Sequence, residues 1–158
     1  MFLLKPDQSY ERVEDISAAA LRAMGVSALL LDIDNTLVSR ASGTMPSSVN
    51  AWVAHLKASG LALCLISNNW HRSVFDYAAE LKLPLVHKAM KPLPFAYLRA
   101  LGKIAAQRKQ AAVIGDQLFT DVLGAHLLGI RALLVQPRSE ADLWYTKIFR
   151  RLEKRLGR

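Results

Sequence analysis

Ala28–Val38 reads ALLLDIDNTLV, an apolar run that ends in two aspartates, an asparagine and a threonine. Ala28 through Leu31, with Ile33, has the continuous apolarity of a strand buried on both faces in a parallel sheet, without the alternation of a strand that has one wet side. Asp32 and Asp34 stand at its carboxyl end. On an extended backbone, side chains two apart point the same way and lie roughly 7 Å from each other, so both carboxylates face one reaction centre.

Outward from this strand, apolar runs and helical spacings alternate. Val13 to Met24 has a helical pattern stopped by Gly25, making residues 1–27 a lead-in segment with a helix. Ser39 to Met45 reads as a loop. Pro46-Ser47-Ser48 opens a helix with Val49, Trp52, Val53 and Leu56 on one side, ended by Gly60. Leu61 to Ile66 is a second buried strand, broken by Ser67-Asn68-Asn69, and Val74, Phe75, Ala78 and Leu81 mark the next helix. Leu85 to His87 is a short third strand, and Phe95 to Ala106 is a helix after the Lys91-Pro92 loop. Ala111 to Ile114, a helix over Phe119–Leu128, and Ile130 to Val135 complete the alternation.

This order predicts a single α/β domain over residues 1–158 with a core over 28–135. The core is a doubly wound, Rossmann-like, mainly parallel five-stranded sheet whose site lies beyond the carboxyl ends of the strands. All the polar breaks fall at those ends: Asp32 and Asp34, Ser67-Asn68, Lys91 and Asp116.

Composition agrees with one domain, since 158 residues at 52% hydrophobic content can bury a sizeable core. No apolar run approaches the ~18 residues of a membrane span, and Lys5-Pro6 stops the short apolar start, so a cytoplasmic protein is expected. Cys64, the only cysteine, reads as a core residue within LALCLI. The net charge of +8 suggests an anionic partner without naming it.

DIDNT at 32–36, SNN at 67–69, KP at 91–92 and GDQLFTD at 115–121 resemble, in order, the four motifs of the haloacid dehalogenase (HAD) superfamily of phosphohydrolases. The flanking phrases LLLDIDNTLV, LISNN, KPLPFAYLRAL and VIGDQLFTDVLGAHLLGI are similar to the YqeG-like branch of subfamily IIIA, related to the phosphatidylglycerophosphate phosphatases. The resemblance implies an HAD-like fold and a phosphatase working through an aspartyl-phosphate. It makes Asp32 the nucleophile, Asp34 the acid and base, and Lys91 a fixed positive charge. Ser67, Asn68 and Thr36 would hold phosphate, and Asp32, the Asp34 main-chain carbonyl and Asp116 would hold Mg2+. Asp121 would support Lys91 or a metal-bound water. The cation has a physical reason: two unit charges about 4 Å apart repel by ~4 kcal/mol at an effective dielectric of 20, about a thousandfold in rate.

Each motif has a simpler reading. A lone DxD is commonly a solvated turn or part of a calcium loop, but Leu37 occupies the position where an EF-hand needs glycine. Ser67-Asn68 and Asp116 could cap helices, and Lys91 alone is a loop lysine. Four motifs in order outweigh these alternatives. His55, His71, His87 and His126 form no spaced ligand cluster and read as surface or packing residues. Trp52 and Trp144 read as core or interface.

Between Thr36 and Ser67 lie 30 residues, and between Ser67 and Lys91 lie 23, all consumed by helices and strands. No separate cap domain fits, so the site should be open and suited to a bulky substrate. The family parallel points to a phosphomonoester on a lipid head group; a phosphoprotein or a nucleic-acid end would also fit. Residues 138–158 form a basic amphipathic helix. Leu143, Trp144, Ile148, Phe149, Leu152 and Leu156 recur at helical spacing, and Glu153 alone opposes the lysines and arginines between them. Such a helix can lie on an anionic membrane or pack on the domain with its charges solvated. Nucleic acid is the less favoured partner, for no binding module or aromatic platform is present. The alternative function is a non-catalytic basic adaptor on the same fold, binding membrane, RNA or a protein.

Overall fold

A computed structural model describes residues 2–139 and Lys154. Six strands form one parallel sheet: β1 (Gln8–Tyr10), β2 (Ala28–Leu31), β3 (Ala62–Ile66), β4 (Leu85–Val86), β5 (Ala111–Gly115) and β6 (Arg131–Val135), in the order β1-β6-β5-β2-β3-β4. The helices between them are α1 (Ala18–Ala23), α2 (Ser47–Ala58), α3 (Ser73–Leu81), α4 (Pro94–Lys103) and α5 (Leu123–Leu127).

Every residue of β2 and β5 is buried. The pleat sends Leu29 and Leu31 to one face, where they meet Val49, Trp52, Val53 and Leu56 of α2. Leu30, Cys64 and Val113 go to the other face, against Tyr97, Ala100 and Leu101 of α4. Two cores on one sheet account for the unbroken apolarity of ALLL, because no face of this strand is left to water. Trp52 is a core residue, and its indole N–H donates to the Ile16 carbonyl at 2.8 Å.

The sheet has one strand more than the five expected. The extra strand, β1, is edge-paired with β6 through Gln8↔Leu133, Ser9↔Leu134 and Tyr10↔Val135. Gln-Ser-Tyr shows no hydrophobic pattern because β1 is three residues long at the sheet edge, with Tyr10 alone packed against the first core and Gln8 and Ser9 exposed. Asp7 extends this pairing, its carboxylate accepting the Ala132 N–H at 2.8 Å. The expected lead-in helix is divided into a single turn over Val13–Asp15 and α1, with Ser17 accepting the Ala20 N–H as the cap of the second piece. The start of the expected 119–128 helix is a wide π-type turn over Leu118–Val122.

The chain leaves β2 for β3 and β4 on one side and returns to β5 and β6 on the other. The strand order therefore reverses between β2 and β5, and a crevice opens beyond their carboxyl ends. The intervals after Thr36 and Ser67 hold α2, β3, α3 and β4, with no inserted domain. Among the described residues no helix is long and apolar enough to cross a membrane. The expected helix over 138–158 and the expected packing of Trp144 lie outside the described residues, save Arg138, Ser139 and Lys154.

Candidate active site

Asp32 is the first residue after β2, tied to the neighbouring strand by its N–H to the Ile114 carbonyl at 2.9 Å. Its carboxylate is buried and held by two donors: Lys91 Nζ at 2.7 Å on Oδ1 and the Thr36 hydroxyl at 3.0 Å on Oδ2. Thr36 can reach back because the chain turns sharply at Asn35, whose φ of 62° lies in the left-handed region that asparagine tolerates. The main chain then closes a loop through Asn35 N–H to the Val38 carbonyl at 2.7 Å.

Lys91 Nζ also contacts Asp121 Oδ1 at 2.6 Å, while Asp121 Oδ2 accepts the Gln117 N–H at 3.1 Å. Burial opposes the lysine's charge, but Asp121 and Asp32 together outweigh it and hold the ammonium well above the usual lysine range. The π-type turn places Asp121 beneath β5, and Gly115 makes room for it. Tyr97 of α4 donates its hydroxyl to the Thr120 carbonyl of the same turn, so the helix that follows Lys91 also fixes the segment bearing Asp121.

Asp116, one residue past β5, is 3% exposed. Carboxylate oxygens of Asp32, Asp116 and Asp121 lie within 4.8 Å of one another. Burial first, then the charges of Asp32 and Asp121, push the Asp116 carboxyl well above its ordinary value. Three buried carboxylates share one lysine, so a divalent cation with hard oxygen preference would balance the cluster. The donor set fits magnesium.

The SNN segment after β3 is built for positioning. Asn68 clasps the Lys91 main chain, its Oδ1 accepting Lys91 N–H at 2.7 Å and its Nδ2 donating to the Lys91 carbonyl at 3.1 Å. Ser67 is fully buried, and its hydroxyl accepts the Asn69 N–H at 3.0 Å. Asn69 Nδ2 donates to both oxygens of Asp34, at 3.2 and 3.1 Å. Asp34 is half-buried; burial first and then Asp32 raise its carboxyl, while Asn69, Arg40 and Lys91 pull the other way.

These groups surround a cleft of about 430 Å³ lined by Asp32, Asp34, Asn68 and Lys91, together with Arg40, Asn69, Trp70, Gln117 and Thr120. Asp116, Asp121, Ser67 and Thr36 are buried and are not among the residues that line it. Over 151 residues, 96% of this chain and 88% of the other, the sequence is 32% identical to a Bacillus subtilis (strain 168) protein named "Probable phosphatase YqeG". The chain belongs to the HAD-like phosphatases. The HAD-hydrolase-like family model matches residues 89–142. A Xenopus laevis phospholysine phosphohistidine inorganic pyrophosphate phosphatase is 35% identical over 66 residues, 42% of this chain and 23% of that one. Among solved structures, 3-deoxy-D-manno-octulosonate 8-phosphate phosphatase from Yersinia pestis superposes with a TM-score of 0.57 at 20% identity, covering 75% of this chain and 69% of that one. At that identity the likeness is one of fold.

Five residues that line the cleft of this HAD phosphatase, Arg40, Asn69, Trp70, Gln117 and Thr120, were not among the expected site residues. Asn69 was quoted within SNN without a role; its position next to Ser67-Asn68 was the available signal. Arg40 lies in the Ser39–Ser42 loop, where neither periodicity nor motif marks a function. Its placement depends on contacts from Asn35 and from a segment a hundred residues away.

Proposed function

We propose that the chain is a magnesium-dependent phosphomonoester hydrolase that works through an aspartyl-phosphate on Asp32, and that its substrate is phosphatidylglycerophosphate or a similar bulky anionic phosphomonoester. The observation that carries this reading is the geometry of Asp32, held by Thr36 and Lys91 at the floor of an open cleft with Asp34 at its side.

Asp32, fixed on both oxygens, is oriented before substrate arrives. One of its oxygens attacks phosphorus, and the bond from phosphorus to the ester oxygen breaks. Asp34, whose raised carboxyl can carry a proton, gives that proton to the departing alkoxide. Asp34, now ionised, accepts a proton from water as the water attacks the phosphoryl group. Inorganic phosphate leaves, and both carboxyl groups return to their starting forms. Ser67 and the Asn68 main chain hold phosphoryl oxygens, and Lys91 offsets the charge that gathers on Asp32 and phosphate. Asp32, the Asp34 carbonyl and Asp116 would hold the magnesium ion, which would supply Lewis-acid stabilisation of the phosphoryl oxygens.

The rim supports a lipid head group. Trp70 is 72% exposed, and Met90, Leu93 and Phe95 beside Lys91 are exposed as well. Arg40 and Lys91 line the cleft, and Lys88 Nζ stands 4.5 Å from the Trp70 ring centroid. Apolar and cationic groups around one opening suit the interface of an anionic membrane, and a protein made in the cytoplasm would act there peripherally.

Phosphate release with and without magnesium, from a generic phosphomonoester and from vesicles containing phosphatidylglycerophosphate, tests the reading. Release should require the metal, disappear in Asp32→Asn and Asp34→Asn, and be faster from the vesicles. Magnesium-independent release, or none from any phosphomonoester, would overturn it and favour a non-catalytic adaptor.

A further inference from the structure

We propose that Arg40 is the binding site for a second anion, a phosphodiester or a carboxylate carried by the leaving alcohol, and that it selects the substrate. The inference rests on the phosphatase reading and extends it from the phosphoryl group to the other half of the molecule.

Among the described residues lining the cleft, only Lys91 and Arg40 are cations. Lys91 is spent on Asp32 and Asp121, and its side chain is 2% exposed, so it cannot reach beyond the phosphoryl group. Arg40 is placed differently. Among the described residues it forms no ion pair, and its Nη1 is buried without a hydrogen-bond partner. Shielded guanidinium donors without an acceptor are costly, and their planar fork matches a carboxylate or phosphate oxygen pair.

The loop that carries Arg40 is built before any ligand arrives. Asn35 Oδ1 accepts the Arg40 N–H at 3.0 Å and the Ser139 hydroxyl at 2.6 Å, and Ser139 Oγ in turn accepts the Ala41 N–H at 3.3 Å. Three backbone or side-chain donors therefore fix the stretch from Asn35 to Ala41, and ordering it on binding costs little.

Direction completes the argument. Asp34 must face the ester oxygen that it protonates, so the leaving alcohol departs on the Asp34 side of the cleft. Arg40 belongs to that side, since its main-chain N–H is held by Asn35, the residue after Asp34, and its side chain lines the cleft with Asp34. Trp70, with Lys88 Nζ 4.5 Å from its ring centroid, borders the same opening and offers a flat apolar surface to the carbon skeleton. A neutral alcohol would leave the guanidinium unmatched; one with an anion a few bonds from the ester oxygen would complete it.

The test uses three soluble phosphomonoesters with the full chain and magnesium: glycerol 1-phosphate, with a neutral leaving alcohol; 3-phosphoglycerate, with a carboxylate; and glycerophosphoglycerol phosphate, with a phosphodiester. The wild type should favour one of the two anionic substrates over the neutral one by at least about tenfold in kcat/KM, and the better of the two identifies the group. Arg40→Gln should lower kcat/KM on that substrate by about ten- to hundredfold, mainly through KM, and bring the three substrates close together. Arg40→Lys should restore part of the preference. Equal wild-type rates, or an Arg40→Gln loss shared by all three, would overturn the proposal.

Calorimetric binding of glycerophosphoglycerol and of glycerate, the product alcohols, separates the two readings. If no substrate is hydrolysed yet one product alcohol binds the wild type and not Arg40→Gln, the anion site stands and the phosphatase reading falls. If Arg40→Gln binds both as the wild type does, the anion site falls whatever the rates are.

Discussion

Gly115 faces Asp121 so closely that a Cβ on the glycine would lie 2.2 Å from the aspartate Cγ. The glycine at the end of β5 is thus needed for close approach, since any side chain there would displace the carboxylate that holds Lys91. Gly115→Ala should destabilise the protein by about 1–3 kcal/mol and reduce phosphatase kcat by roughly tenfold or more. Thermal denaturation and steady-state rates check this; a variant with unchanged rates would mean that Asp121 is not needed where it stands.

Lys91 balances Asp32 and Asp121 inside the protein, and removing one partner of a buried ionic cluster leaves charge without compensation. Lys91→Met should cost about 3–5 kcal/mol of stability. Its phosphate release should fall by about a thousandfold. Denaturant titration measures the first effect and a phosphate-release assay the second.

Asn69 Nδ2 donates to both carboxylate oxygens of Asp34, contacts that favour its ionised form. Loss of the amide in Asn69→Leu removes a group that lowers the Asp34 carboxyl, so the limb of the pH–rate profile set by Asp34 should move to higher pH. We expect kcat to fall by about ten- to hundredfold. A profile with unmoved limbs would separate Asp34 from the observed ionisation.

Glu14 offers a pH effect remote from the cleft. Burial alone would raise its carboxyl, but hydrogen bonds from the Ser48 hydroxyl and Arg138 hold it below its ordinary value of about 4.5. A depressed folded value means that the unfolded chain binds the proton more tightly. The stability contributed by Glu14 is therefore complete above the ordinary value and is lost as pH falls through the folded one. Glu14→Gln should lower Tm by roughly 2–4 °C near neutral pH, for about 1 kcal/mol, and the gap should close under acid. Melting curves across that range decide it.

What could be read from the sequence followed the physics of each segment. ALLLDIDNTLV announced its strand because β2 is buried on both faces, and the polar breaks at 67, 91 and 116 converged because parallel strands deliver their carboxyl ends to one edge. Gln8–Tyr10 stayed hidden because a three-residue edge strand with one side chain, Tyr10, against the core is too short to show a pattern. Asn69 and Arg40 were missed for a related reason: one acts through an amide on a neighbouring acid, and the other is aimed by partners distant in the chain. Motif spacing records residues that recur in one local geometry; SNN carried Asn69 without assigning it a role, and Arg40 reached the cleft with no motif at all.

Arg138 donates its main-chain N–H to the Asn35 carbonyl at 2.9 Å and its Nε to the Thr36 carbonyl at 2.8 Å, beside Ser139 on the Asn35 side chain. The short strip after β6 is thus the mould in which the Asn35–Ala41 loop is cast. Anyone grafting that loop from a relative to redirect this enzyme would have to transplant residues 138 and 139 with it, and the two stretches should drift through evolution as a matched pair.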